Sequence, residues 1–266
     1  MTDAALAIAQ FAPGDDTARN LDTIESLAEL AVSRGASLVV FPEYSSYFVP
    51  DLGPAFVEAA EPLDGPFVAA LSALADRLDA YLVAGMAELA GDRQHNTLVA
   101  VAPERGLVAT YRKQHLYDAF GQRESDWVAP GDLADPQIFR WADFAVGLQT
   151  CYDVRFPEVT RRLVDAGAEI VLCPAEWVRG PLKEHHWRTL VSARAIENTI
   201  YVAAADHAPP VGVGTSLIVD PMGVELAVIG EQDGAVALAW PTRARLDAIR
   251  SVNPALTLRR FAVVPR

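Results

Sequence analysis

The sequence predicts an α/β fold, because short apolar runs of strand length alternate along the chain with longer amphipathic stretches of helix length. The first pair shows the pattern. The apolar run Ala4–Phe11 is followed by Thr17–Arg34, in which Leu21, Ile24 and Ala28 fall on one helical face. The chain is also 51% apolar over 266 residues, which is enough for one large core.

In the first half of the chain, the helix Thr17–Arg34 is expected to have Thr17 as its N-cap and to end at Gly35, a residue type common at helix C-termini. The apolar run Ser37–Phe41 predicts the next strand, and Pro66–Ala80 predicts a helix. Further strands are expected at Tyr81–Glu88, Asn96–Ala102 and Leu107–Tyr111, the last two joined by a hairpin turn at Pro103–Gly106.

In the second half, Phe144–Thr150 predicts a buried strand, and Pro157 is typical of the first turn of the helix that follows it. The remaining predicted elements are helices at Val159–Ala166, Glu184–Asn198 and Thr242–Val252, strands at Glu169–Cys173 and Thr199–Asp206, hairpins through Asp220–Gly223 and Glu231–Gly234, and an extended tail to Arg266. No linker or repeat divides the chain, so we expect one domain over residues 1–266.

Composition excludes several classes of function. The net charge is −13 and basic residues form no run, which argues against binding nucleic acid or an anionic membrane surface. No apolar stretch approaches the roughly 20 residues of a membrane span, and the N-terminus lacks the basic region of a signal peptide. The two cysteines, not obviously paired, suit a reducing compartment. We therefore expect a cytoplasmic protein.

Cys151 is the first candidate for chemistry. It stands between a predicted strand and a predicted helix, and in α/β sheets the carboxyl ends of strands are where ligands bind. A thiol beside backbone N–H groups at the start of a helix is a candidate nucleophile. The alternative is a buried structural cysteine, and position alone leaves the two open.

Two further segments favour the nucleophile. Glu43 follows the strand Ser37–Phe41, and Lys113 follows the strand Leu107–Tyr111. If these strands are parallel members of one sheet, their carboxyl ends share one edge with Cys151. A thiol, a carboxylate and an ammonium group are sufficient for acyl transfer, because they supply a nucleophile, a base and a group that stabilises an oxyanion.

Several segments of the chain, in order, resemble the nitrilase superfamily of carbon–nitrogen hydrolases. The segments are FPE around Glu43, YRKQHL around Lys113, GQRESDW around Glu124 and CYDVRFPE around Cys151, followed by CPAEW, HHWRTLVSARAIENTIYV and GTSLIVDPMG. The likeness spans residues 7–223. The chain is therefore identified as similar to members of this superfamily, and most similar to its amidase branches, including ω-amidases and deaminated-glutathione amidases.

The resemblance implies a four-layer αββα sandwich, assembled as a homodimer or larger oligomer, in which residues 253–266 are a candidate partner contact. It implies that Glu43 is the general base, Cys151 the nucleophile and Lys113 the third member of the triad, with Glu124 as a second active-site glutamate. The backbone N–H of Tyr152 is expected to join Lys113 in stabilising the oxyanion. The implied reaction hydrolyses a small linear carboxamide to an acid and ammonia, without a cofactor or a metal.

The far end of the substrate is expected to contact the segment after Cys173. Trp177 offers an apolar wall with one N–H donor, and Arg179 suits a substrate carboxylate, whereas Glu176 suits an amine. Tyr47, in the loop after Glu43, is expected to close another side. A surface ion pair between Arg179 and Glu176 is the alternative to a binding role.

Other functions stay open at this stage. Within the superfamily, an N-carbamoyl amidohydrolase or a nitrilase is the alternative; outside it, a thiol redox protein or a non-catalytic interaction module. Cys173 is expected to be a core residue, and the adjacent His185 and His186 do not share a helical face, so no metal site is expected. The group Arg194, Glu197 and Asn198 is expected to be structural.

Overall fold

Two six-stranded sheets lie face to face in the computed structural model, which describes residues 4–265. The strands, in chain order, are β1 (Ala5–Gln10), β2 (Ala36–Val40), β3 (Tyr81–Ala90), β4 (Arg93–Ala102), β5 (Gly106–Arg112), β6 (Ile138–Trp141), β7 (Phe144–Leu148), β8 (Ile170–Ala175), β9 (Tyr201–Asp206), β10 (Leu217–Val219), β11 (Glu225–Val228) and β12 (Ala235–Ala239). The first sheet has the order β12-β1-β2-β3-β4-β5, and the second has the order β11-β10-β9-β8-β7-β6.

The described residues also form six helices. They are α1 (Thr17–Ser33), α2 (Pro54–Glu58), α3 (Pro66–Leu78), α4 (Pro157–Asp165), α5 (Lys183–Asn198) and α6 (Arg243–Val252), with short 3₁₀ turns at Glu124–Asp126 and Cys151–Arg155. Helices α1 and α3 pack on the first sheet, and α4 and α5 pack on the second. The expected four-layer αββα sandwich is therefore confirmed.

Three apolar layers hold the sandwich together. The central layer lies between the sheets and contains Leu6 and Leu38 from one sheet and Leu148, Leu172 and Ile218 from the other. The two outer layers lie between each sheet and its helices. Both faces of β1, β2, β8 and β9 are therefore buried, which explains why these segments are apolar throughout rather than alternating.

The strand directions bring together the strand ends that carry predicted site residues. Strands β1, β2 and β3 are parallel in the first sheet, and β7, β8 and β9 are parallel in the second. Because β4 and β5 form successive antiparallel hairpins with β3, β5 runs in the same direction as β2. The carboxyl ends of β2 and β5 thus lie at one edge of their sheet.

Most predicted elements are present within a few residues of their expected bounds, but the second late hairpin is wrong. The segment Glu231–Gly234 does not join two paired strands. It crosses from β11 in the second sheet to β12, which pairs antiparallel with β1 in the first. The side-chain amide of Gln10 donates to the carbonyls of Gly230 and Gln232 and holds this crossing in place.

Smaller differences from the predicted elements concern a helix cap, two short elements and the tail. Asp16 rather than Thr17 is the N-cap of α1, and its carboxylate accepts from the N–H of Arg19. Helix α2 and strand β6 are short elements that the sequence reasoning did not predict. In the tail, which was expected to be extended, residues 255–258 form a turn and residues 259–265 have no regular secondary structure.

Within residues 4–265, no helix combines the length and the apolar character needed to cross a membrane.

Candidate active site

A cavity of about 260 Å³ opens where the carboxyl ends of strands from the two sheets meet. The predicted site residues that line it are Glu43, Lys113, Glu124, Cys151, Tyr152, Glu176 and Trp177. The first sheet supplies Glu43 and Lys113, and the second supplies Cys151 and Glu176. The sequence predicted that these residues share one edge of one sheet. The structure instead places them at a junction between two sheets.

Glu43 lies in a loop that is pressed against β3. The backbone of Gly85 receives a hydrogen bond from Ser46 and donates one to Pro42. A Cβ on Gly85 would lie 2.4 Å from the nitrogen of Tyr44 and 2.7 Å from the Cα of Glu43. Only glycine allows this close approach, so the backbone carrying the carboxylate has one position on the sheet.

The carboxylate of Glu43 is almost fully buried and accepts three hydrogen bonds. Its Oε1 accepts from Lys113 Nζ at 3.0 Å and from Asn96 Nδ2 at 2.5 Å, and its Oε2 accepts from the backbone N–H of Glu176 at 2.5 Å. The last of these crosses from one sheet to the other. Glu43 is thus fixed by both sheets before any substrate binds.

Lys113 lies between two carboxylates. Its Nζ is 3.0 Å from Oε1 of Glu43 and 2.9 Å from Oε2 of Glu124, and the side chain is buried. Burial lowers the pKa of this amine, but the carboxylates of Glu124 and Glu43 outweigh it and raise the pKa well above its ordinary value. The ammonium group is therefore charged at any physiological pH.

Glu124 occupies the short turn before the second half of the chain and accepts from several donors. Its Oε1 accepts from the hydroxyl of Tyr44 at 2.9 Å, and its Oε2 accepts from the backbone N–H of Tyr117 at 2.6 Å. Asn96, in the middle of β4, lies within 3.3 Å of the same Oε1 and so links both glutamates. These contacts hold Glu124 against Lys113.

Cys151 begins a 3₁₀ turn directly after β7, as the sequence predicted. Its φ is +44°, a left-handed conformation that non-glycine residues seldom adopt outside functional or strained sites. The side chain of Arg194 in α5 donates to the carbonyl of Val154 in the same turn. This contact gives the group around Arg194 the structural role that the sequence suggested.

The thiol of Cys151 is protonated at rest. Burial and the nearby carboxylate of Glu43 raise its pKa well above the ordinary value, and the opposing effect of Lys113 is smaller. Sγ lies 3.5 Å from the carbonyl oxygen of Glu176. A thiol in this state becomes a nucleophile only when a base removes its proton, and the carboxylate of Glu43 is close enough to raise the pKa of this thiol.

Glu176 contributes both backbone and side chain. Its side-chain Oε1 is buried and has no hydrogen-bond partner among the described residues, and burial together with Glu43 raises the pKa of this carboxyl well above its usual range. The next residue, Trp177, is held by Asp206, whose Oδ1 accepts the backbone N–H of Trp177 at 2.7 Å. Asp206 therefore fixes the segment that bonds Glu43.

Two predicted binding residues lie away from the cavity. Tyr47 packs edge-on against Phe56 beneath the loop, with ring centroids 5.8 Å apart. Arg179 points to the surface and pairs with Glu231 at 2.6 Å, not with Glu176. Neither side chain lines the cavity, so the structure does not bring either to the substrate.

The sequence reasoning missed three residues that support the site. Asn96 bridges Glu43 and Glu124, Asp206 positions Trp177, and His207 lies 2.6 Å from the carbonyl oxygen of Glu43. Burial lowers the pKa of His207 to about 4, so its ring is neutral and its Nε2–H donates to that carbonyl. Polar residues directly after or within apolar strands were the available signal for all three.

Cys173 lies on β8 in the core, as expected, and burial raises its pKa to about 12. In the part of the chain that the structure describes, no group of three or more His, Cys, Asp or Glu side chains has the arrangement of a metal site. His185 and His186 lie side by side on α5, with ring centroids 6.2 Å apart.

Comparison with known proteins finds relatives of similar sequence and structure. A curated Escherichia coli protein named deaminated glutathione amidase is 38% identical over 259 residues, which is 97% of each chain. A CN-hydrolase superfamily protein of Xanthomonas campestris, described with an arsenic adduct in its active site, has a similar structure with a TM-score of 0.87 at 27% identity and full coverage of both chains.

A Nesterenkonia amidase of the nitrilase superfamily gives a TM-score of 0.78 at 27% identity, over 96% of this chain and 97% of that one. A further structure of that amidase shows acrylamide added to its active-site cysteine. The model of the carbon-nitrogen hydrolase family matches residues 5–250. The chain therefore belongs to the carbon-nitrogen hydrolase family and is an enzyme that acts on amides.

Proposed function

We propose that this enzyme hydrolyses a small linear carboxamide to a carboxylic acid and ammonia through a thioester on Cys151. One observation carries the proposal. The protonated thiol of Cys151 shares a buried cavity with the carboxylate of Glu43, which is itself bound to the permanently charged Lys113. A nucleophile, a base and a fixed positive charge are thereby held within one cavity.

The first half-reaction forms the thioester. Glu43 takes the proton from the thiol of Cys151, and the sulfur attacks the amide carbon to form a C–S bond while the carbonyl electrons move onto oxygen. Lys113 and the N–H of Tyr152 stabilise this oxyanion, and such a donor contributes about 3 kcal/mol. The intermediate collapses, the C–N bond breaks, and Glu43 returns its proton to the leaving nitrogen as ammonia.

The second half-reaction releases the acid. Glu43, again a carboxylate, takes a proton from water, and the resulting hydroxide attacks the thioester carbon. The C–S bond breaks, and the sulfur of Cys151 recovers the proton from Glu43, so the enzyme returns to its starting state. Glu124 holds Lys113 in position through both halves. All proton transfers are made by side chains of this chain.

The relatives indicate which compounds belong in a panel of candidate substrates. The E. coli relative bears the name deaminated glutathione amidase, so amides of that kind belong in the panel beside shorter linear amides. N-Carbamoyl compounds and nitriles test the alternative reactions of the superfamily. We propose that amides are preferred, because the relatives that cover almost the whole chain bear the name amidase.

Ammonia release by the purified enzyme tests the proposal. Cys151→Ala is expected to abolish turnover while the thermal unfolding midpoint stays close to that of the natural enzyme. Cys173→Ala is the matched control, since its thiol is in the core, and it is expected to retain most activity with a modest loss of stability. A folded but inactive Cys173→Ala enzyme, or an active Cys151→Ala enzyme, would contradict the assignment.

We also propose that the enzyme is a homodimer or larger and that the tail from residue 253 contacts the partner subunit. The tail exposes three large apolar side chains, Leu258, Phe261 and Val264, which a partner surface would cover. Light scattering on the full chain and on a chain ending at Val252 tests this. A full-length chain that is monomeric at micromolar concentration would contradict the homo-oligomer. A truncated chain that keeps the oligomeric state of the full chain would contradict the role of the tail.

A further inference from the structure

Glu176 is a third carboxyl group in the wall of the active-site cavity, and its side chain has no task in the proposed reaction. Glu43 and Glu124 are both bound to Lys113, one on each side of the ammonium group. Glu176 directly follows β8, and its backbone N–H binds Glu43. The cavity therefore contains one carboxyl group more than the base and the lysine require.

The contacts of this side chain do not suit a carboxylate. Among residues 4–265, the carboxyl group of Glu176 forms no ion pair with a lysine, arginine or histidine, in contrast to Glu43 and Glu124. Its Oε1 is buried, and no N–H or O–H group of the same residues donates to it. A buried carboxylate without a cation or a donor loses its hydration and gains nothing in return. The geometry therefore favours the neutral acid.

The charges around Glu176 act in the same direction. The titratable groups that face it are Glu43 and Tyr44 after β2, Lys113 and Tyr117 after β5, Glu124 in its short turn, Cys151 after β7, Lys183 in α5 and Asp206 at the end of β9. Burial above all, and then the carboxylates of Glu43 and Glu124, raise the pKa of this carboxyl well above its ordinary value, and the opposing effect of the two lysines is smaller.

A neutral acid suits the place where negative charge develops. Sγ of Cys151 lies 3.5 Å from the carbonyl oxygen of Glu176, so the nucleophile and this residue are direct neighbours. A negative charge on Glu176 raises the pKa of the thiol and so opposes its activation. The neutral acid removes that repulsion and has an O–H group with which to donate to a bound molecule.

We infer that Glu176 takes part in the reaction as a neutral carboxylic acid, which donates a hydrogen bond to the bound amide in the cavity. The inference rests on the proposed function and adds one side chain to it. The substrate is then the partner that the side chain lacks in the free enzyme. Two glutamates of one cavity thus have opposite tasks: Glu43, bound to Lys113, is the base, and Glu176, without a cation, is the donor.

Thermal unfolding tests the neutral state without turnover. At pH 7 a carboxyl group with a raised pKa is protonated in the folded enzyme but ionised in the unfolded chain, so it lowers stability there. Glu176→Gln keeps the shape and cannot ionise, so its Tm relative to the natural enzyme is expected to rise between pH 4 and pH 7. Glu58→Gln, at the exposed end of α2, is the matched control and is expected to show no such rise.

Ammonia release as a function of pH tests the role in the reaction. Glu176→Ala removes the donor and is expected to lower kcat/KM at pH 7 by about 3- to 10-fold, the range for one neutral hydrogen bond. Glu176→Gln still donates, through its amide, and is expected to recover most of that loss. It is also expected to stay active at alkaline pH, where the natural enzyme loses activity as Glu176 ionises. Lys183 and Cys151 are present in both enzymes, so the difference between the two profiles reports Glu176 alone.

The outcomes separate this inference from the proposed function. A Tm difference for Glu176→Gln that is constant or falls between pH 4 and pH 7 would show an ionised carboxylate and overturn the inference. A Glu176→Gln enzyme as slow as Glu176→Ala, or one with the pH profile of the natural enzyme, would overturn it as well. If the natural enzyme releases ammonia from no amide of the panel, the proposed function fails, and the unfolding measurements still decide whether Glu176 is a neutral acid.

Discussion

The substitution Gly85→Ala, in β3 against the loop that carries Glu43, is predicted to impair catalysis. The added methyl group would lie 2.4 Å from the nitrogen of Tyr44 and 2.7 Å from the Cα of Glu43, both of them backbone atoms that cannot rotate away. Ordinary contact begins at 3.4 Å, so the loop must rise by about 1 Å. The glycine has no positive φ, so the whole effect comes from this contact.

The expected magnitude follows from that displacement. A shift of 1 Å in a catalytic group lowers the rate by about 100-fold, and overpacking of this kind costs about 1–3 kcal/mol of stability. For a chain of this size such a loss lowers Tm by roughly 2–5 °C. Because we propose that Glu43 carries the proton in both half-reactions, the loss should fall on kcat more than on KM.

The assay is ammonia release from the best amide of the panel, with thermal unfolding measured on the same samples. Gly230→Ala is the matched control, since a Cβ there meets nothing within 4 Å and the backbone has an ordinary φ. The control is expected to match the natural enzyme in both measurements. A Gly85→Ala enzyme with kcat within about threefold of the natural value and an unchanged Tm would refute the reasoning.

Two other predictions concern the site. Glu43→Gln and Lys113→Met should each lower kcat by about 1000-fold or more, and the double variant should be little worse than either single one, because the groups act as a unit; additive losses in steady-state kinetics would contradict this. His207 has a pKa of about 4 when folded, below its unfolded value near 6.5, so its contribution to stability is complete above pH 6.5 and is lost as pH falls towards 4, by about 3 kcal/mol. The difference in unfolding free energy between the natural enzyme and His207→Gln should narrow over that pH range, and a constant difference would contradict the assignment.

Local pattern was sufficient to predict the alternation of strands and helices and to select the central candidate residues, whereas the four layers of the fold were implied by the resemblance to the superfamily. Each of Glu43, Lys113 and Cys151 directly follows an apolar strand, and strand ends are visible in a sequence. The resemblance then supplied Glu124, whose short turn has no apolar pattern of its own.

What the sequence did not predict depends on distant partners. Arg179 follows the same strand as Glu176, but its side chain points outward because Glu231, far along the chain, lies there. Tyr47 packs against Phe56 instead of lining the cavity, and local pattern does not show that contact either. The hairpin at Glu231–Gly234 failed because periodicity identifies a strand without showing which sheet it joins.

Asn96 is a different case. It lies inside β4, just before the apolar residues 98–102, and contacts two glutamates that are distant in sequence. A buried amide beside an apolar run was the available signal.

The pairing of β1 with β12 has a consequence for biosynthesis. Leu6 pairs with Ala239, so the ribosome makes β1 long before it makes β12, the strand that pairs with one of its edges. Until then one edge of β1 offers open backbone groups to other chains. Such long-range pairing is slow to form, and we expect an aggregation-prone interval in which the nascent chain already contains Cys151 and Lys113 but the first sheet is still open at β1.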